Sequence, residues 1–194
     1  MRVVVITPPE PIITIDEAKR HLKQDSDDDA DLIKSYVAAA TQHLDGPDGY
    51  LGRAIGVQTL EARADVFCDA MVLPYPPLID IVSVKYLDGE GAEITLLPAF
   101  YETRGTLIGS AFGKRWPSVA AHPESVRIQY RAGYLPRTVS STPVATVPEP
   151  IKAAILLMTG DLYRNRSTVT DKIAQAVPMS TTVETLLDPF RIYC

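Results

Sequence analysis

Short runs between Leu60 and Tyr130 alternate apolar and polar side chains residue by residue, whereas the segments on either side repeat their apolar residues every three or four positions. Only a pleated strand or a helix brings such residues to one face, so the chain must place a sheet between helical segments. Leu60, Ala62, Ala64 and Val66 alternate with Glu61, Arg63 and Asp65, and Val126, Ile128 and Tyr130 alternate with Arg127, Gln129 and Arg131. Val82, Val84 and Tyr86 lead into a turn at Asp88-Gly89-Glu90-Gly91 and return through Ile94 and Leu96, which predicts a hairpin. A shorter pair, 101–103 with 106–108, is expected around Gly105. The middle therefore predicts a small antiparallel sheet with one solvated face.

The flanks are helical. Thr14-Ile15-Asp16-Glu17 has the pattern of a capping box, and Ile15, Ala18 and Leu22 then share a face. Ile33, Val37, Ala40 and Leu44 form a second stripe, which Gly46-Pro47-Asp48-Gly49 must stop. A short turn over 51–55 closes this part. Near the other end, Ile151, Ala154, Ile155, Met158 and Leu162 predict a long helix, with Pro150 suited to its first turn. Residues 138–148, rich in Ser, Thr, Pro and Val, have the composition of a linker. Val183, Leu186 and Leu187 predict a short amphipathic helix broken at Asp188-Pro189-Phe190. The expected class is α+β: a helical bundle from the two ends (12–57 and 148–194) with a small β-rich middle insertion (58–134), all within one domain of 194 residues.

Composition narrows the function. Nineteen Lys and Arg against 24 Asp and Glu leave a net charge of −5, a poor basis for gripping nucleic-acid phosphates. The two cysteines, Cys68 and Cys194, lie far apart without a CxxC spacing, so neither a disulfide framework nor a zinc site is expected. Met1 to Ile6 is too short an apolar run for a signal peptide, and no stretch approaches a membrane span, so a reducing, aqueous compartment is expected.

Motifs of chemistry come close and fail. Asp25, Asp27 and Asp29 match the first ligand positions of a calcium loop, but the required glycine is Ala30 and the required glutamate is Tyr36. Gly109 to Arg115 has one residue too few between its glycines for a phosphate loop, and Arg115 replaces the Ser or Thr after Lys114. His21, His43 and His122 have no partner at metal-binding spacing, and no serine sits in a nucleophile elbow. Asn165-Arg166-Ser167 is a glycosylation sequon by pattern only. Lys114, Arg115, Arg127, Arg131 and Arg137, with Tyr130 and Tyr134, admit a nucleic-acid face or, in better accord with the net charge, the solvated side of a sheet. No catalytic, cofactor-binding or metal-ligating residue is assigned.

The order of several segments resembles the phage head–tail connector, or adaptor, proteins of long-tailed double-stranded-DNA phages, prophages and gene transfer agents. The resemblance is carried by 11–22, by the acidic 27–33, by Gly52-Arg53-Ala54-Ile55 and by Leu73-Pro74 with Pro76-Pro77-Leu78. It continues through 82–86, Asp88-Gly89, 147–157, 163–166, 183–187 and Pro189-Phe190-Arg191. Two places depart from it: the broken stretch 45–50, where relatives tend to continue a helix, and the long 138–147.

That resemblance implies a structural virion protein and no enzyme. Such connectors form a ring, commonly of twelve copies, under the portal protein after packaging, and pass the channel on to a stopper or tail-completion protein. DNA would traverse the ring without sequence-specific binding, and no membrane would be involved. The protein would be made in the bacterial cytoplasm and reside at the head–tail interface. Helices 15–44 and 150–166 would build the ring wall. Leu186, Leu187, Phe190 and Tyr193 would either dock on the portal or a neighbouring copy, or fold back onto their own domain. The alternatives are a stopper or tail-completion protein, a small metal-dependent phage enzyme using the 25–31 carboxylates, and a generic binding module.

Overall fold

The computed structural model describes residues 1–139, 142–145, 147–165 and 180–192, with only the backbone given for 136–139 and 142–145. The class is α+β, with four helices at the N- and C-terminal parts and ten strands in antiparallel sheets among the described residues. The chain divides into two compact units, Met1–Glu10 with Arg53–Ala145 and Pro11–Gly52 with Thr146–Cys194.

The first unit is built of strands, with one 3-10 turn at Pro98–Phe100. Its strands are β1 (Arg2–Thr7), β2 (Gln58–Ala64), β3 (Ala70–Val72), β4 (Leu78–Leu87), β5 (Glu93–Leu96), β6 (Tyr101–Arg104), β7 (Leu107–Ser110), β8 (Val126–Ala132), β9 (Pro136–Val139) and β10 (Thr142–Ala145). Five of them form one sheet in the order β1-β2-β8-β4-β5, and β3-β7-β6 form a second. The larger sheet is not the small middle insertion the alternation suggested. It recruits β1 from the N-terminus, paired in antiparallel register with β2, and so extends well beyond the central segment.

Register explains the core. Val3, Ala62, Ile128, Val84 and Leu96 stand in one row across the five strands. Leu60, Ala62, Val84, Val126, Ile128 and Tyr130 are buried on that face and share a core with Met71, Leu73 and Ile108 around the smaller sheet. The predicted hairpin forms as β4–β5, and the shorter pair forms as β6–β7. Val66 lies past the end of β2 and is exposed, so the expected alternation stops at Ala64. The expected linker is also corrected in part: 138–139 and 142–145 pair within β9 and β10. At Gly133, φ is +120° and an added Cβ would stand 2.3 Å from the Gly56 carbonyl oxygen. That approach lets the chain leave β8 beside Ile55, whose carbonyl accepts from the Tyr134 N–H at 3.0 Å.

The second unit is helical. Its helices are α1 (Ile15–Leu22), α2 (Ala30–Leu44), α3 (Glu149–Arg164) and α4 (Thr181–Leu187). Thr14 caps α1, its hydroxyl accepting from the Glu17 N–H at 3.2 Å. Of the α2 stripe Ile33, Ala40 and Leu44 are buried and Val37 is half-buried, and the helix ends just before Gly46-Pro47. The α3 stripe is corrected. Ile151, Ala154 and Ile155 are buried, but the buried face continues through Thr159 and Gly160, while Leu162 is 38% exposed. Thr159 can be buried because its hydroxyl donates to the Ile155 carbonyl at 2.8 Å. Gly160 lies against α1, where an added Cβ would meet His21 and Leu22 at ordinary van der Waals distance, so the approach does not depend on the glycine.

Candidate functional site

The structure presents two surfaces rather than a cleft of reacting groups. The first is the polar face of the five-stranded sheet. Because side chains alternate across the pleat, the residues between the buried ones line up on this opposite face. Arg2, Arg63, Arg127 and Lys85 form a transverse row of four cations on β1, β2, β8 and β4. Adjacent like charges repel, and acidic residues answer them. Arg63 reaches Glu61 at 2.6 Å and Glu124 at 3.0 Å, and Arg2 reaches Glu124 at 3.2 Å. Glu93 takes Lys85 at 2.8 Å and Arg127 at 3.3 Å, and Arg131 makes a two-bond pair with Asp80.

Glu61 is the most enclosed of these acids, at 6% exposed. Burial pushes its carboxyl up, but hydrogen bonds from Gln129 and Arg63, with the charges of Arg63 and Arg127, hold it below the ordinary value. Hydrogen bonds and charge from Lys85 and from Arg131 likewise lower Glu93 and Asp80. A face in which each of these cations meets a carboxylate has little charge left for phosphates. Tyr130 settles the matter for stacking: it is fully buried on the other face, its hydroxyl donating to the Pro74 carbonyl at 2.8 Å. Burial, then the Tyr75 phenol, raises its pKa. Tyr134 accepts from Arg53 at 2.7 Å. Of the two readings of Arg127 and Arg131, the solvated sheet face is therefore the one seen.

The second surface is the C-terminal segment. Ser180 caps α4 by accepting from the Val183 N–H, and Val183 and Leu187 are buried where α4 packs on α3. Leu186 and Phe190 are half-buried, Phe190 in a 3-10 turn over Asp188–Phe190; Tyr193 lies outside the described residues. Past the turn, the Ile192 N–H donates to the Leu51 carbonyl at 2.9 Å, and the Arg191 guanidinium sits 4.0 Å from the centre of the Tyr50 ring. Gly52 makes this approach possible. Its φ is +63°, and a Cβ there would stand 2.8 Å from the Ile192 carbonyl oxygen. A glycine just after the helix-stopping segment was visible in the sequence; what it faces was not.

The remaining candidates take ordinary places. Asp27 pairs with Lys19, whose hydrogen bond and charge lower its pKa, and Asp29 accepts from Tyr163 at 2.6 Å. His43 stacks on Tyr50, and the His122 ring nitrogen is 2.8 Å from the Pro123 carbonyl oxygen. Among the described residues no group of three or more His, Cys, Asp or Glu is placed to hold a metal ion, and no helix is long and apolar enough to cross a membrane. Cys68 is exposed, and its carbonyl accepts from the Trp116 indole at 2.8 Å. Gly109 to Arg115 forms the end of β7 and a turn, with Phe112 at its tip 99% exposed.

No family model and no curated protein sequence matches the chain. Solved structures do. A chain from the neck of an empty gene transfer agent particle, computed with C6 symmetry, superposes with a TM-score of 0.74 at 19% identity, covering 100% of this chain and 97% of that one. A chain from the neck of a native particle, computed with C12 symmetry, and one from the virion of a native gene transfer agent particle each give a TM-score of 0.72, with the same identity and coverage. The likeness is one of fold, and it runs the length of both chains.

Proposed function

We propose that the chain is a structural subunit of a virion neck, a head–tail adaptor whose copies ring the channel beneath the portal. The observation that carries this reading is the end-to-end likeness of fold to chains from gene transfer agent necks, joined to the ordered sequence segments that resemble connectors. The C6 and C12 symmetries used for those necks favour a ring, and twelve copies is the number proposed. The whole chain acts as one connector subunit of an assembly whose next member is a stopper or tail-completion protein. A net charge of −5 suits a wall past which DNA must slide without being held. The work is mechanical, with no reaction catalysed and no cofactor used.

In this reading Leu187 anchors the terminal segment within its own unit, while Leu186, Phe190 and Tyr193 supply the docking side. Deleting 183–194 is a poor test, since it would strip buried Val183 and Leu187 from α3. Phe190→Ala and Leu186→Ser leave that anchor in place. Electron microscopy of the full chain mixed with its cognate portal tests the function. A ring stacked under the portal is expected, and weaker stacking by the two variants. Absence of any association with portal, but binding to a portal already carrying another ring, identifies a stopper instead. No association with either overturns the neck assignment.

A further inference from the structure

The five-stranded sheet ends in two open edges, β1 on one side and β5 on the other, neither paired with another described strand. Open edges present rows of unused backbone donors and acceptors, and folded proteins usually guard them with charge, proline or a bulge. Here β1 reads Arg2-Val3-Val4-Val5-Ile6-Thr7, four branched apolar residues in succession; its register shifts between Val5 and Thr7, and Pro8-Pro9 follow, so the edge is interrupted only at its far end. Val5 is 42% exposed and Ile6 46%; on the opposite edge Ile94 is 39% exposed and Leu97, just past β5, is 65%. Exposed apolar residues that lie next to one another along an edge mark a contact surface more than single ones do.

We infer that copies of this chain join edge to edge, β1 of one against β5 of the next, into a sheet continuous around the ring. The inference rests on the ring reading above and names the lateral contact within it. Strand direction is the first argument. Every step from β1 through β2, β8 and β4 to β5 is antiparallel, so β5 runs the same way as β1. Rotation about a ring axis preserves that direction, so the joined edges are parallel, and a heterologous contact of this kind makes a ring where its rotation closes.

Side-chain complementarity sets the register and the occupant. Laying Glu93-Ile94-Thr95-Leu96-Leu97 beside Arg2-Val3-Val4-Val5-Ile6 puts Glu93 next to Arg2, both on the polar face. It puts Ile94 next to Val3 and Leu96 next to Val5, all on the core face, and Leu97 next to Ile6. Glu93 would then extend the row of ion pairs from Lys85 and Arg127 to the neighbour's Arg2, whose side chain is 62% exposed. A shift by one residue would set the core-face Ile94 beside the polar-face Arg2 or Val4 and take Glu93 away from Arg2.

Charge reversal tests this on the full chain, with rings on the cognate portal counted by electron microscopy and self-association measured by sedimentation. Arg2→Glu and Glu93→Arg, made singly, are each expected to weaken association about tenfold, and the two together in one chain to restore it. Ile94→Lys, at an exposed edge position, is expected to abolish lateral contact while circular dichroism melting shows the fold intact. If wild-type rings form and the single variants ring equally well, the edge contact is wrong and the adaptor reading stands. Failure of the double variant to recover, beside weakened singles, also overturns the proposed register. If the wild type forms no ring on the portal, the ring reading fails and this contact with it.

Discussion

The β unit and the helical unit differ in how far along the chain their contacts reach. In the β unit, Val3, Ala62, Ile128, Val84 and Leu96 meet in one row although they come from five separate segments. In the helical unit each buried stripe (Ile33, Ala40 and Leu44, or Ile151, Ala154 and Ile155) belongs to a single helix and is spaced by that helix's own pitch. The difference also shows in what stays uncovered. Helices satisfy their backbone internally, so this unit needs only side-chain packing and caps, whereas the sheet leaves two edges with backbone groups that another chain can use. The polar face of the sheet has no counterpart among the helices: its cations and carboxylates interlock across strands.

Paired substitutions sharpen that comparison. The largest effect is expected in the cores, where Ile128→Ala and Ile155→Ala should each cost about 2–5 kcal/mol in denaturant unfolding, since both side chains are fully buried. A much smaller loss at Ile155 would mean that the helical stripe collapses around the gap and the sheet core does not.

Next comes the polar face. Glu61→Gln should cost about 1–3 kcal/mol near neutrality, because Arg63 and Gln129 lose an ionised acceptor that is itself enclosed. The pH dependence has a definite sign. The folded carboxyl lies below its ordinary 4.5, so its contribution is present above that value and is lost as pH falls through the lower folded one. Urea midpoints measured near neutrality and in acid should therefore converge for wild type and variant as the solution becomes acidic. A gap that persists unchanged in acid would mean that the loss at neutrality is one of packing.

Thr14→Ala should cost about 1 kcal/mol and fray α1, read by hydrogen exchange at Glu17 and its neighbours. The smallest effect belongs to Arg131→Ala. Its pair with Asp80 is half exposed, and thermal melting should not move measurably despite the two-bond geometry. A clear shift there would mean that the polar face acts as a cooperative network rather than a set of separate pairs.

How much was legible follows the same divide. The Thr14 cap, the α2 stripe, the stop at Gly46-Pro47 and the β4–β5 turn each rest on residues within a few positions of one another. The short strand β3 and the hairpin β9–β10 carried no such signal; Ser, Thr and Pro over 138–148 pointed to a linker. Leu162 matched the helical spacing, yet the buried face of α3 turns toward Thr159 and Gly160, where α1 comes close. Within the C-terminal segment, spacing grouped Leu186 with Leu187, but only Leu187 is enclosed.

By itself the sequence determined the four helices and the strands β2, β4, β5, β6, β7 and β8, and where most of them end. It also carried, in the order of its segments, a resemblance to connectors; the likeness to chains from gene transfer agent necks is one of fold. Only the tertiary structure decided that Arg2–Thr7 is an edge strand rather than an isolated apolar run, that the Tyr130 hydroxyl meets the Pro74 carbonyl, and that Gly52 faces Ile192. The reason is physical. A helix or a turn is specified by its own residues, whereas an edge, a register or a close backbone approach exists only once distant segments have been brought together.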